Sequence, residues 1–385
     1  MKKRILFLIS CLLDGGIDTA LIEYLRGIDT SLYDVTLAIG MKMEGMEVHR
    51  GRIPSEVKVV YLVDEPRLLN LRRRRQTGHL PGALKIYDEL LLNPVRRYRS
   101  ARRLQRLTAE ADLVVDFDAT FYTPLRECRV PVVGFYHFSI EENLRRSERH
   151  TRRQMAGMAT YKRIALVSDT MVEEGRRLFP ELASKFVRIY NGYNLAEFRS
   201  RAQRNPGLSL PERYFVAVER LEESQKDLTT LIRAYAKAGG AESGFPYLLL
   251  VGEGRDRNRL MELAKECGVG EKVIFAGFQP EVPAIMHGAM ALLHSSKYEG
   301  FGLVLAEALI LGKPVVSTDT PTGPAEVLDG GRAGELLPVG DVEEMSRCIR
   351  RLAEDAPWRE ELAKRAERRG DLFDIRASLK ELLKF

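Results

Sequence analysis

The feature that most constrains the fold of this chain is a series of short runs in which apolar residues follow one another without alternation. Such runs predict strands covered on both faces, as in parallel sheets flanked by helices. The first set of runs covers residues 5–10, 35–40, 57–62, 113–118, 132–137 and 164–168, and the second covers 215–220, 248–254, 272–277, 290–296 and 314–319. The sequence therefore predicts an α/β protein with two doubly wound, Rossmann-like domains facing each other across a cleft.

The boundary between the two predicted domains lies in a polar stretch that contains proline and arginine, residues 196–212. We interpret this stretch as a linker between a first domain over 1–195 and a second over 213–370. Each domain is long enough for its own hydrophobic core. Residues 371–385 have the pattern of an amphipathic helix, which suits either domain, and we expect it to pack back on the first.

The cysteines and the N-terminus bear on the compartment. Neither metal-ligand spacing nor the density of a disulfide scaffold is present among the cysteines, at positions 11, 128, 267 and 348, which favours a reducing cytosol. The basic, apolar start of the chain lacks a small-residue cleavage site and predicts a first buried strand. No apolar stretch approaches the roughly 20 residues of a membrane-spanning helix.

Residues 294–316 carry the densest pattern of glycine and polar residues, and they predict a strand end, a loop, a helix and a second strand. The helix is apolar all round except for Glu307, so we expect it to be buried and its carboxylate to need hydrogen-bond partners. Gly300 and Gly302 allow a close backbone approach to a ligand, and a helix that begins near Gly302 presents free N–H groups to an anion. Glu299 and Glu307 alone would also fit a plain pair of surface glutamates.

This segment resembles the E-x7-E motif of retaining glycosyltransferases of group 1 (family 4), which have the GT-B fold and include enzymes of bacterial surface polysaccharide synthesis. The resemblance implies that Glu299 contacts the donor sugar near its anomeric centre and that Glu307 holds the ribose hydroxyls. The backbone amides of Phe301, Gly302 and Leu303 would bind the diphosphate.

Residues 218–235 resemble the segment of the same family that carries an arginine and, six residues later, a lysine. Here these residues are Arg220 and Lys226, and two cations beside a diphosphate offset the charge that grows on the leaving group. The resemblance therefore implies a transferase that needs no metal and no other cofactor. The family usually has glycine before the arginine, whereas this chain has Glu219, so we expect a local difference in the shape of the loop.

Further positions match the family less specifically. Relatives enclose the donor at positions that correspond here to Gly15, Gly16, Gly252, Gly254 and Phe278. His137 ends an apolar run, where relatives place a histidine against the donor sugar, although a lone histidine is more often structural. Gly252 and Gly254 alone are a weak match to the glycine-rich fingerprint of dinucleotide-binding proteins. Residues 317–328 also match the family, with a plain turn before a helix as the alternative.

The positive charge of the chain is concentrated between residues 67 and 106, which contain twelve lysines or arginines and two acids. Such a surface could contact an anionic membrane and meet a lipid-linked acceptor, or it could be a solvated basic face. A nucleic-acid partner is less expected, because no recognition motif accompanies the charge.

Taken together, the residues and the resemblance predict a retaining glycosyltransferase that moves a sugar from a UDP-sugar, with a GDP-sugar second, to a glycan or lipid-linked acceptor. The first domain would bind the acceptor and the second the nucleotide sugar. We expect a cytoplasmic protein, with a position at the inner face of the plasma membrane as the variant. The alternatives are a non-catalytic nucleotide-sugar-binding subunit and a nucleotide-sugar epimerase or phosphorylase.

Overall fold

The computed structural model describes residues 2–13, 15–76, 78 and 80–385. It divides into two compact units, of which the first combines Met1–Tyr193 with Ile375–Phe385 and the second is Asn194–Asp374. Among the described residues, every helix is too short or too polar to cross a lipid bilayer.

The described part of the first unit contains one parallel sheet with the strand order β3-β2-β1-β4-β5-β6-β7. Its strands are β1 (Lys3–Ile9), β2 (Tyr33–Met41), β3 (Lys58–Val63), β4 (Leu113–Asp116), β5 (Val132–Tyr136), β6 (Arg163–Leu166) and β7 (Phe186–Arg188). The helices are α1 (Gly16–Gly27), α2 (Pro66–Gln76), α3 (Gly82–Tyr87), α4 (Asn93–Glu110), α5 (Ile140–Met158) and α6 (Asp169–Leu178), and a one-turn segment, Asp88–Leu92, joins α3 to α4.

The second unit repeats this plan with the strand order β10-β9-β8-β11-β12-β13, again all parallel. Its strands are β8 (Tyr214–Val218), β9 (Tyr247–Val251), β10 (Val273–Gly277), β11 (Leu292–His294), β12 (Val315–Thr318) and β13 (Glu335–Leu337). Its helices are α7 (Leu195–Arg201), α8 (Leu228–Tyr235), α9 (Arg257–Glu266), α10 (Val282–Gly288), α11 (Leu303–Ile310), α12 (Pro324–Val327), α13 (Val342–Glu354) and α14 (Ala356–Gly370).

The continuous apolar runs explain these sheets, since the central strands are buried on both faces. In β1, for example, Ile5 to Ile9 are at most 2% exposed. The prediction of two doubly wound parallel sheets is confirmed by the strand orders. Strands β7 and β13 lie at sheet edges and were not predicted as strands.

The last helix, α15 (Ile375–Leu382), belongs to the first unit. The backbone N–H of Ile375 donates to the carbonyl of Tyr193 at 2.9 Å. A Cβ atom at Gly192 would lie 2.7 Å from the Cα of Ile375, so this approach requires glycine. The stretch expected to be a linker, 196–212, includes most of α7 and is part of the second unit.

Candidate active site

In the second unit, the residues that resemble the family motifs lie beyond the carboxyl ends of the sheet's central strands. Strands β8 and β11 are neighbours at the centre of this sheet, and the chain leaves them towards opposite sides, to β9 and to β12. Ligands of doubly wound sheets bind at such a point, beyond the carboxyl ends of the strands. Residues 219–227 follow β8 and residues 295–302 follow β11, so both loops lie at this position.

A buried ion pair joins the two loops. The ammonium of Lys226 contacts Oε1 of Glu299, and the two side chains are only 13% and 10% exposed. The hydroxyl of Ser296 donates to the same carboxylate oxygen at 2.7 Å, and Nε2 of His294 lies 3.4 Å from it. The structure therefore brings together two of the residues predicted to be catalytic and adds two polar neighbours.

His294 is held with both ring nitrogens facing acceptors. Its Nδ1 lies 2.9 Å from the hydroxyl oxygen of Ser317, whose own proton goes to the carbonyl of Thr318. Its Nε2 lies 3.3 Å from the hydroxyl oxygen of Ser296, whose proton goes to Glu299. Ser296 and Ser317 therefore hold the His294 ring beside the Glu299 carboxylate.

The charges of the pair stabilise each other. Burial by itself would raise the pKa of Glu299, but the Lys226 ammonium and the His294 contacts outweigh it and hold that pKa below its ordinary value. Burial would lower the pKa of Lys226, and the carboxylates of Glu299 and Glu219 hold it above its ordinary value instead. Both groups are therefore charged at neutral pH.

Glu219 is a second buried carboxylate in this cluster. The backbone N–H of Ser295 donates to its Oε1 at 3.0 Å, and His294 Nε2 lies 3.9 Å from the same atom. Its Oε2 is buried and has no hydrogen-bond partner among the described residues. Burial raises the pKa of Glu219, partly offset by His294 and Lys226. At this position the sequence suggested only an altered loop, and the structure instead adds an acid to the site.

Replacing Glu219 by glutamine tests this assignment. Because the pKa of Glu219 is raised on folding, its ionisation destabilises the native protein increasingly as pH rises above the ordinary glutamate value of about 4.3. The amide of the E219Q variant does not titrate and keeps an acceptor for the N–H of Ser295. E219Q should therefore gain free energy of unfolding relative to wild type between pH 5 and 8, on the order of 1 kcal/mol. Urea denaturation at both pH values measures the difference.

The matched control for this experiment is Glu222→Gln, in the same loop, because the Glu222 side chain is 31% exposed. E222Q should unfold within about 1 kcal/mol of wild type, because the 3.8 Å contact of Glu222 with Arg220 is a partly exposed ion pair. A parallel pH dependence in E219Q and wild type would contradict the raised pKa.

The other predicted residues of the second unit's β8, β9 and β10 loops follow neighbouring strands and differ in exposure. The guanidinium of Arg220 is 56% exposed and lies 3.8 Å from Glu222. The Phe278 ring follows β10 and is also exposed. A Cβ atom at Gly252 or Gly254 would lie 2.1 or 2.3 Å from a backbone carbonyl of the β8 loop, so close packing already accounts for both glycines.

The loop before α11 has the form that the sequence predicts. Gly302 caps the helix with φ of 84°, in the left-handed region that favours glycine, and Gly300 and Phe301 are buried. Within α11, every residue is buried except Leu303 and Glu307, which are half-buried. The two lie one turn apart, so the partly open face of this helix carries the second predicted glutamate.

Residues 317–328, for which a plain turn was the alternative, brace the Glu299 loop. The hydroxyl of Thr322 donates to the backbone carbonyl of Glu299 at 2.5 Å. The hydroxyl of Thr318 donates to the backbone carbonyl of Ser296 at 2.8 Å. Gly323 has φ of 93°, and a Cβ atom there would lie 2.7 Å from the carbonyl of Phe301. The sequence matched this stretch to the family without giving it a role, and the structure shows that its residues support the Glu299 loop.

In the first unit, His137 follows β5 and is buried. Its Nε2–H donates to the carbonyl of Phe117 at 2.7 Å, and its ring stacks on Phe135 with 5.7 Å between centroids. Burial lowers the pKa of His137 to about 4, with a small opposing effect from the Phe117 contact. The ring is therefore neutral at pH 7, with Nδ1 as an acceptor.

This pKa predicts an acid destabilisation. The native pKa is about 4, whereas an unfolded histidine has about 6.5, so the unfolded state binds more protons as pH falls through this window. The wild type should lose stability between pH 6.5 and 4, on the order of 3 kcal/mol more than His137→Gln. Urea denaturation at pH 7 and 4.5 measures this, and equal losses in the two proteins would contradict the buried neutral ring.

The carboxylate of Asp18 accepts hydrogen bonds from the backbone on either side of position 14, in the predicted Gly15-Gly16 loop. Gly15 caps α1, and its N–H donates to Oδ2 of Asp18 at 2.9 Å, while the N–H of Leu13 donates to Oδ1 at 3.0 Å. Asp14 lies outside the described residues. Among the described histidines, cysteines and acids, no cluster has the composition of a metal site.

Most of the second unit is similar to a known family of proteins. The model of the family described as glycosyl transferases group 1 matches residues 198–369. The lipopolysaccharide core biosynthesis glycosyltransferase LpsE of Rhizobium meliloti is 35% identical over 141 residues, which cover 37% of this chain and 40% of that protein. A Campylobacter jejuni enzyme, N-acetylgalactosamine-N,N'-diacetylbacillosaminyl-diphospho-undecaprenol 4-alpha-N-acetylgalactosaminyltransferase, is 28% identical over 197 residues, covering 51% of this chain and 52% of the enzyme. The chain thus matches about half, or less, of the length of these two relatives.

A solved structure matches nearly the whole chain. Anabaena HepE in complex with UDP-glucose has a TM-score of 0.76 and 19% sequence identity, and the match covers 98% of both chains. At this identity the similarity concerns the fold, and it confirms the predicted fold class.

Proposed function

We propose that this protein, whose residues 198–369 match the model of the family described as glycosyl transferases group 1, transfers a sugar from a nucleoside diphosphate sugar to an acceptor hydroxyl with retention of the anomeric configuration. The observation that carries the proposal is the buried pair of Lys226 and Glu299 at the centre of the second sheet. It lies inside the matched region and at the position where doubly wound sheets bind ligands.

In the reaction, the acceptor oxygen bonds to the anomeric carbon on the face that the nucleotide leaves, and the bond between that carbon and the diphosphate oxygen breaks. The leaving diphosphate takes the acceptor proton. Lys226 and the exposed Arg220 stabilise the negative charge that grows on the diphosphate. The carboxylate of Glu299 stabilises the positive charge that develops on the sugar ring. These roles of Lys226 and Arg220 require no metal.

The proposed donor is a UDP-sugar, with a GDP-sugar second. Support comes from the structurally similar HepE, whose solved complex contains UDP-glucose. The half-buried Glu307 would bind the ribose hydroxyls, and the amides near Gly302, at the start of α11, would bind phosphate. The exposed ring of Phe278 offers a surface for the base.

The proposed acceptor is a glycan or a lipid-linked sugar in bacterial polysaccharide synthesis. The names of the two relatives support this, because one acts in lipopolysaccharide core biosynthesis and the other names a diphospho-undecaprenol acceptor. A cytoplasmic location stays a prediction from the cysteine pattern. The roles of His137, Gly15 and Gly16 in the first unit also stay predictions, and they rest on the resemblance to the family.

The test is a panel of UDP-, GDP- and ADP-sugars with purified protein in EDTA, in which nucleoside diphosphate release is followed with and without lipid-linked acceptors. Release that depends on one donor and on an acceptor supports the transferase. Binding without release under all conditions would instead indicate a nucleotide-sugar-binding subunit. Conversion of the donor sugar without any acceptor would indicate an epimerase.

A further inference from the structure

A helical segment of the first unit buries two charged side chains and exposes most of its large apolar ones. From the end of α3 into α4, the buried residues include Asp88 and Arg96, which form an ion pair of 2.7 Å. Arg96 also donates to the carbonyl of Leu68 in α2 at 2.7 Å. A surface helix normally buries its apolar residues and exposes its charges. This segment instead buries an ion pair within itself, and the bond from Arg96 to Leu68 links it to α2.

The apolar side chains of the same segment point outward. Half of the large apolar side chains that are exposed in the described residues lie between positions 86 and 98, with exposures of 41 to 69%. They are Ile86, Tyr87, Leu90, Leu91, Val95 and Tyr98, which we call the apolar ridge. The spacing of the first four places them on one helical face, and the whole ridge is about 18 Å long at the helical rise.

Exposed cations adjoin the apolar ridge. Arg97, Arg102 and Arg106 on α4 are exposed, as is Lys85 on α3. By contrast, Arg75 pairs with Glu89 and Arg99 with Glu65. Leu104, also in α4, is buried. A contiguous exposed apolar patch marks an interaction surface, and here it lies within the most basic part of the chain.

We propose that the apolar ridge and its arginines form a docking surface for an anionic lipid bilayer. The leucines and Ile86 would enter the boundary between headgroups and acyl chains, with Tyr87 and Tyr98 at headgroup level, as in helices that lie in the membrane interface. The arginines would pair with lipid phosphates. Charge argues against a second copy of the chain as the occupant, because residues 67–106 contain twelve basic and two acidic residues and two such segments would repel.

Co-sedimentation with vesicles tests this surface without any donor or acceptor, so its outcome is independent of the proposed transfer reaction. The intact protein should sediment with phosphatidylcholine vesicles that contain phosphatidylglycerol, and less so in salt of about 0.5 M. L90E/L91E and R102E/R106E should each weaken this partitioning by roughly tenfold or more. Leu32→Glu is the matched control, since Leu32 is 60% exposed in the same unit but outside the ridge, and it should partition as wild type does.

Absence of sedimentation with anionic vesicles, equal sedimentation with neutral ones, or equal weakening by L32E would each overturn the proposal. So would a dimer in analytical ultracentrifugation that L90E/L91E converts to monomer, because a second copy would then occupy the ridge. Should the charged variants fail to fold, Leu90→Trp replaces them. Its fluorescence should shift to the blue with anionic vesicles, and an unchanged spectrum would count against insertion.

Discussion

Lys226→Met should reduce the stability of the protein more than any other single substitution in the site, and it should also strongly reduce turnover. It leaves the buried carboxylates of Glu299 and Glu219 without their shared ammonium. Removing one partner of a buried ion pair costs about 3 kcal/mol or more. Turnover should fall by about 100-fold or more, because the cation no longer stabilises the leaving diphosphate. Thermal unfolding and nucleoside diphosphate release measure the two effects.

The control for this variant is Lys297→Met. Lys297 lies in the β11 loop, but its side chain is 42% exposed and its ammonium lies 3.9 Å from Glu223. A partly exposed ion pair at this distance contributes about 1 kcal/mol, well below a buried pair, so K297M should change both quantities much less than K226M does. If K226M does not fold, Lys226→Arg keeps the charge and should retain the fold with reduced turnover. A K226M protein that unfolds and turns over like K297M would refute the pairing.

Glu299→Gln should lower turnover by about 100-fold or more while the fold persists, because the carboxylate charge acts on the transition state. The amide keeps an acceptor for the hydroxyl of Ser296, which in the wild type donates to the carboxylate at 2.7 Å. Most of the loss should therefore appear in kcat, with the KM for the donor changed by less than about tenfold. Initial rates over a range of donor concentrations separate the two constants.

The exposed carboxylate of Glu253, after β9, provides the comparison for E299Q. E253Q should have wild-type kcat and KM. A loss confined to KM in E299Q would assign the carboxylate to ground-state binding rather than to stabilisation of the transition state.

The central strands could be predicted because they are buried on both faces and therefore leave continuous apolar runs. The same logic explains why β7 and β13 were missed. Each has three residues at a sheet edge, and their burial is incomplete. Lys226 and Glu299 were singled out by their resemblance to the family motifs, and the structure brings their side chains together in the loops after β8 and β11.

Two features required the structure, because they depend on contacts between residues distant in sequence. Glu219 belongs to the site because β8 and β11 lie side by side. Its hydrogen-bond partner Ser295 is 76 positions away in the sequence. The exposure of the apolar ridge could not be predicted for a related reason. A charged run reads as a solvated face, and only the buried ion pair of Asp88 and Arg96 reveals which side points outward.

The most direct test of the account is a calorimetric titration of the wild-type protein with UDP and with UMP in EDTA. If Lys226, Arg220 and the start of α11 form a diphosphate site, UDP should bind at one saturable site, at least roughly tenfold more tightly than UMP. Lys226→Met should remove this preference. Equal affinities for UDP and UMP, or UDP binding that appears only when magnesium is restored, would contradict a metal-independent diphosphate site built on this pair.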